Sequence, residues 1–109
     1  MKIVGRVSVA RVREEGLVRL EHPPYDVVVA LIDGAPYALE DACNHAGASL
    51  SEGFLNKDCI TCPMHGYVFS FRTGVLVAPK GLCDDQRKFE AWLEGDEIVV
   101  GDSFTLEIR

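Results

Sequence analysis

Apolar and polar residues alternate along both ends of this chain, and the alternation stops in the middle. Residues 3–13 carry Val4, Val7, Val9 and Val12 in an imperfect alternation without a helical stripe, which predicts a strand with a bend. Gly16 punctuates it, residues 17–21 alternate again, and Pro23-Pro24 forbids a regular central strand there. The valine-rich run 25–32 is the clearest strand. Asp33-Gly34 supplies the backbone angles of a tight turn, and Tyr37-Ala38-Leu39 returns as its hairpin partner. Near the other end, residues 88–93 alternate, 94–96 form a hairpin turn, and 98–100 and 104–108 complete the framework.

From about 41 to 85 the texture changes. Gly47, Gly53, Pro63, Gly66, Gly74, Pro79 and Gly81 interrupt short apolar runs, so this segment reads as a loop-rich insertion. Residues 58–61 and 67–71 look like short strands flanking a loop, and Arg72-Thr73-Gly74 turns into a further strand at 75–77. The segment has too little apolar area to fold well unaided, and a metal tying its loops together would supply the missing stability.

A length of 109 residues with 48% hydrophobic content sets a single domain, residues 1–109, with enough apolar material for a core. The formal charge of -6, with 11 scattered Lys and Arg, excludes a nucleic-acid partner and suits an acidic face meeting a basic protein. No apolar run reaches the length of a membrane span, and the N-terminal residues alternate where a signal peptide would be continuously apolar. The sequence therefore reads as soluble, cytoplasmic and without a membrane partner.

Two short stretches in the insertion change the picture. Cys43-Asn44-His45 and Cys62-Pro63-Met64-His65 each hold one cysteine and one histidine, a donor set for iron, zinc or copper, and two tight pairs on separate loops suit one four-ligand centre. Gly47 and Gly66 follow the histidines closely. Bare backbone N–H groups there would hydrogen-bond the sulfurs of an iron-sulfur cluster, which zinc does not require. A structural zinc module is the alternative, although zinc motifs usually place like ligands together. A catalytic Cys-His pair is the weaker alternative, since nothing in the sequence supplies an oxyanion hole or an orienting third residue and the duplicated pair would go unexplained.

The remaining candidates have plainer readings. Cys59 and Cys62 make a Cys-x-x-Cys spacing, but no helix start follows, so Cys59 reads as a buried structural thiol and Cys83 as a free thiol in a loop. His22 reads as a surface residue. Phe54, Phe69, Phe71, Phe89 and Trp92 read as core or loop packing, and the acidic stretches Asp84-Asp85 and 94–97 as solvated turns, with partner docking as the alternative.

Cys-x-His, sixteen residues, then Cys-x-x-His-Gly resembles the Rieske 2Fe-2S signature. Residues 48–53, Phe69 and the Thr73-Gly74 turn extend the likeness to the Rieske ferredoxins of ring-hydroxylating dioxygenase systems. That resemblance implies an all-β, Rieske-like antiparallel β-sandwich with a cluster-binding subdomain, about 41–85, inserted between strands. It implies a Rieske-type 2Fe-2S cluster with Cys43 and Cys62 on one iron and His45 and His65 on the redox-active other. It also implies that the loop Pro79-Lys80-Gly81-Leu82 shields the cluster.

High-potential Rieske proteins carry a cysteine pair, a serine and a tyrosine where this chain has Ala48, Met64, Tyr67 and Phe69. Fewer hydrogen bonds to the sulfurs imply a low potential, about -150 mV. The function implied is a one-electron carrier, itself no enzyme, between a flavin-dependent ferredoxin reductase and a terminal oxygenase. The alternatives are a small Rieske subunit of a larger reductase such as assimilatory nitrite reductase, and a separated oxygenase domain, against which the final strand 104–108 counts.

Overall fold

The computed structural model describes residues 2–22, 26–43, 48–64, 66–79, 81 and 84–102. The chain opens with strand β1 (Lys2–Ser8), but helix α1 (Val9–Glu15) follows where the alternation pattern predicts more strand. Local chemistry decides this. The Ser8 side chain caps the helix by accepting from the Arg11 N–H, Arg11 pairs with Glu15 one turn on at 3.0 Å, and Gly16, at φ 83°, donates back to the Val12 carbonyl. Only Val12 of the helix is buried, so there is no apolar stripe for a periodicity argument to find.

β2 (Val18–Leu20), β3 (Val27–Ile32) and β4 (Ala35–Glu40) form the expected meander, with Asp33 and Gly34 both at positive φ in the β3–β4 turn. A single 3-10 turn (Leu50–Glu52) leads into β5 (Phe54–Asn56), β6 (Cys59–Thr61), β7 (Val68–Ser70) and β8 (Leu76–Ala78). β9 (Lys88–Glu94) and β10 (Glu97–Asp102) close the framework. Every described strand pairing is antiparallel. One sheet runs β1-β10-β9-β4-β3-β2, the other β5-β6-β7-β8.

β3 explains the continuous valine run, because both of its faces are buried. Val27 and Val29 point to a cluster with Val7, Val12, Val18, Phe89, Ile98 and Val100, which α1 covers. Val28, Ala30 and Ile32 point the other way, to a cluster with Leu50, Ile60, Phe69, Phe71 and Leu76. The 41–85 segment therefore completes its core on the back of β3 and β4, so sheet packing supplies apolar surface that the segment lacks by itself. Its own row of paired residues, Leu55, Ile60, Phe69 and Leu76, faces that surface.

Other expectations need correction. β5 forms where a loop is predicted, and its Phe54 is 68% exposed instead of packed. His22 is no surface residue: its side chain is 12% exposed, with Nε2 3.5 Å from Asp102 Oδ2 and its ring edge-on to Phe89. Cys59 is half-buried beside Asp58, with Sγ 3.7 Å from Oδ1. The acidic stretches are partly spent within the chain, since Glu94 and Glu97 flank Arg6 and Asp85 accepts from the Leu76 N–H. Cys83 and the strand at 104–108 lie outside the described residues. Among those described, no helix is long and apolar enough to cross a membrane.

Candidate metal centre

The first candidate loop leaves the end of β4. Asp41 is buried and organises the exit: its N–H donates to Asp26 O, its carbonyl accepts from Leu50 N, and its carboxylate accepts from Ser51 N at 2.7 Å. A buried carboxylate that accepts from a backbone N–H while its own main chain pairs on both sides is a rigid anchor. Ala42 then bridges to Ser49, and the Cys43 N–H donates to Ala48 O at 2.7 Å, closing the loop at its base.

The second loop joins β6 to β7 and closes in the same way, the Cys62 N–H donating to Tyr67 O at 2.7 Å. In both loops a cysteine N–H reaches the carbonyl five residues on, across four tip residues. Gly66, at φ 69°, takes a turn that a side chain resists. Gly53 lies under the base of this loop, where a Cβ would sit 2.1 Å from Thr61 O and 3.2 Å from Pro63 Cδ. Only glycine permits that approach.

Cys43 and Cys62 are each 1% exposed, and both side chains belong to the apolar cluster behind β3. No disulfide forms among the described cysteines. Two cysteine sulfurs buried at the bases of two loops, close to one apolar cluster, are placed to serve as soft metal ligands shielded from water. The donor set fits an iron-sulfur cluster. His45 and His65 lie outside the described residues, as do Asn44, Gly47, Lys80 and Leu82. Cys59 stands apart from this pair. Burial first, then the neighbouring Asp58 carboxylate, pushes its thiol above the usual range and keeps it protonated.

Two residues outside the Cys/His motifs, Arg72 and Gln86, help hold the two halves of the fold together. Arg72 donates to Asp33 at 2.6 Å, to the Tyr37 hydroxyl at 3.1 Å and to Asp58 at 3.4 Å. It lines a cleft of about 360 Å³ with Leu31, Ile32, Asp33, Lys57 and Asp58, none of them a candidate ligand. Gln86 is buried, donating through Nε2 to Glu40 O at 2.7 Å and Ala42 O at 2.5 Å. The one sequence signal for Gln86 is a neutral amide placed just before an alternating strand.

Fold and loops together define a two-sheet antiparallel β protein with paired cysteine-bearing loops at a metal centre. Residues 5–84 match the Rieske [2Fe-2S] domain, and the chain belongs to that family. Its cofactor is accordingly a Rieske-type 2Fe-2S cluster. The chain is 37% identical over 84 residues to the ferredoxin component of biphenyl 2,3-dioxygenase from Rhodococcus jostii RHA1, covering 77% of this chain and 78% of the relative. It is 35% identical over 107 residues to the 3-phenylpropionate/cinnamic acid dioxygenase ferredoxin subunit of Escherichia coli K12, covering 92% and 93%. A solved complex of reduced oxygenase and oxidised ferredoxin in carbazole 1,9a-dioxygenase contains a similar chain, with a TM-score of 0.80, 30% identity and coverage of 98% and 96%.

Proposed function

We propose that this chain is the ferredoxin component of a ring-hydroxylating dioxygenase system, working in the cytoplasm as one Rieske domain. It takes single electrons from a flavin-dependent reductase and hands them to a terminal oxygenase. Cys43 and Cys62 hold one iron, and His45 and His65 hold the other. The observation that carries this assignment is the pair of identically closed loops, each with a buried cysteine at its base.

When bound, the cluster supplies reversible one-electron chemistry near the low end of the Rieske range. The chain's own residues set the conditions. Burial of both cysteines keeps water from the sulfurs. Both cysteine N–H groups are spent on loop closure, so they are unavailable to stabilise extra negative charge on sulfur. Beside the second loop, Met64 and Phe54 expose apolar surface, which suits the small, short-lived contact of an electron carrier with its partner.

The test is an EPR spectrum of the reduced protein together with His45→Ala and His65→Ala variants. A Rieske-type signal in the parent and its loss in both variants is expected. An intact signal in either variant removes that histidine from the ligand set. Delivery of electrons by the isolated chain between separate reductase and oxygenase components distinguishes a carrier from a permanently bound reductase subunit.

A further inference from the structure

The two cysteines belong to different structural bodies. Cys43 follows β4 of the six-stranded sheet, whereas Cys62 lies between β6 and β7 of the four-stranded one. A cluster ligated from both needs their separation fixed more closely than apolar packing alone fixes it, because apolar contact is non-directional.

Gln86 sits at the joint between these bodies. On one side, both hydrogens of its amide nitrogen are committed, to Glu40 O and Ala42 O. Those carbonyls flank Asp41, and the Ala42 carbonyl belongs to the peptide bond that Cys43 begins. The neighbouring backbone runs alongside, with Glu40 N–H donating to Arg87 O at 2.8 Å. Gln86 thus carries the β4–β9 pairing past its last ladder position, Leu39 opposite Lys88, to the base of the first loop.

On its other side Gln86 grips the turn between β7 and β8. Its N–H donates to Gly74 O at 2.7 Å, and a Cβ on Gly74 would lie 2.3 Å from Gln86 O, so the two backbones are in direct contact. Asp85 adds a second hold on this hairpin through the Leu76 N–H at 2.8 Å. β7 is the strand into which the second loop feeds.

We propose that Gln86 is a positioning residue for the cluster: it ties the Ala42–Cys43 peptide of the first loop to the hairpin that carries the second, and so sets the spacing of the two cysteine ligands. This rests on the ligand assignment above. The effect acts through the loops, with no contact to iron required. Arg72 supplies a natural control, because it also joins the two sheets but does so at the β3–β4 hairpin, through Asp33 and Tyr37.

The experiment compares Gln86→Leu, Gln86→Glu and Arg72→Gln with the parent holoprotein, in three readouts: the g-values and linewidths of the reduced EPR signal, iron loss to EDTA well below the melting temperature, and the melting temperature itself. Gln86→Leu removes the side-chain donor from two part-buried carbonyls, and Gln86→Glu sets carboxylate oxygens against them. Both should broaden or shift the EPR signal and speed iron loss about tenfold or more, the usual scale for residues that orient metal ligands. Arg72→Gln should lower the melting temperature while leaving signal and iron loss at parent values.

Folded Gln86 variants that assemble no cluster, shown by circular dichroism, would also support the proposal. Parent-like EPR and iron retention in both Gln86 variants would overturn it. So would equal changes in Arg72→Gln, or variants that fail to fold even as apoprotein, which would make Gln86 a folding residue only. If the parent itself shows no Rieske-type signal, the ligand assignment fails instead.

Discussion

The guanidinium of Arg72 reaches Asp33 across 39 positions of sequence, with Nη2 2.6 Å from Oδ2, and fastens the four-stranded sheet to the β3–β4 turn. Asp33 is 85% exposed and the Arg72 side chain 36%, so solvent screens much of the attraction. The hydrogen bond to Tyr37 and the stacking of the guanidinium 5.5 Å from its ring add to the hold. Arg72→Gln is expected to lower the denaturant midpoint only slightly, as exposed ion pairs do. Asp33→Asn should lower it less than that, since it leaves Tyr37 and Asp58 in place.

Gly53 is a steric requirement and not a hinge. Its φ of -88° is open to any residue, but a Cβ there meets Thr61 O at 2.1 Å. Gly53→Ala must push β6 and the base of the second loop aside, with an overpacking cost of about 1–3 kcal/mol. Iron content after purification should fall along with melting temperature. Normal iron occupancy in this variant would show that the loop base yields freely.

Much of this architecture was legible because its causes are local. Asp33-Gly34 specifies its own turn, and Cys43 and Cys62 stand out in short motifs because each lies at the base of one loop. Helix α1 was illegible to periodicity, since one buried valine makes no stripe; its signals were the caps Ser8 and Gly16. Phe54 shows the converse failure, an aromatic on an edge strand whose pairing with Thr61 turns it outward. Asp41 and Arg72 carried no local signal of their roles, and Gln86 only that of a neutral amide before an alternating strand. Their partners are set by how two sheets meet, which no short window of sequence contains.

Cys59 shares a Cys-x-x-Cys spacing with Cys62 but has a different environment. Burial and then Asp58 raise its thiol pKa, so less thiolate is present at neutral pH than for an unperturbed cysteine. Alkylation of Cys59 by iodoacetamide at pH 7.5, followed by peptide mapping, should be slower than for a model thiol. Asp58→Asn should speed it by removing part of the shift. Cys59→Ser should retain full iron, and loss of iron there would bring Cys59 into the ligand set.

Glu40 carries a pH-dependent cost. Burial pushes its carboxyl above the ordinary value of 4.5, and Arg87 offsets part of that rise. In the window just above 4.5 the native state therefore retains a proton that the unfolded chain has released. Stability then falls as pH rises through the window, and the penalty is fully present above the folded pKa. Glu40→Gln should raise the melting temperature at pH 7 and change it less at pH 3.5. An equal gain at both values would mean that ionisation is not the cause.

Phe69 tests the potential. It is fully buried, pairs with Ile60 and Leu76, and shares an apolar cluster with Cys43 and Cys62. High-potential Rieske proteins have a tyrosine hydroxyl at the matching place, and here there is none. The parent midpoint is expected at about -150 mV, the bottom of the Rieske range. In Phe69→Tyr the added hydroxyl enters a cluster of apolar side chains. There it either donates to a sulfur or stays unsatisfied at a cost of about 1–3 kcal/mol. A donated hydrogen bond stabilises the more negative, reduced form, so the midpoint should move positive with little loss of melting temperature. An unchanged midpoint with a lowered melting temperature would mean that position 69 faces the core and not the cluster.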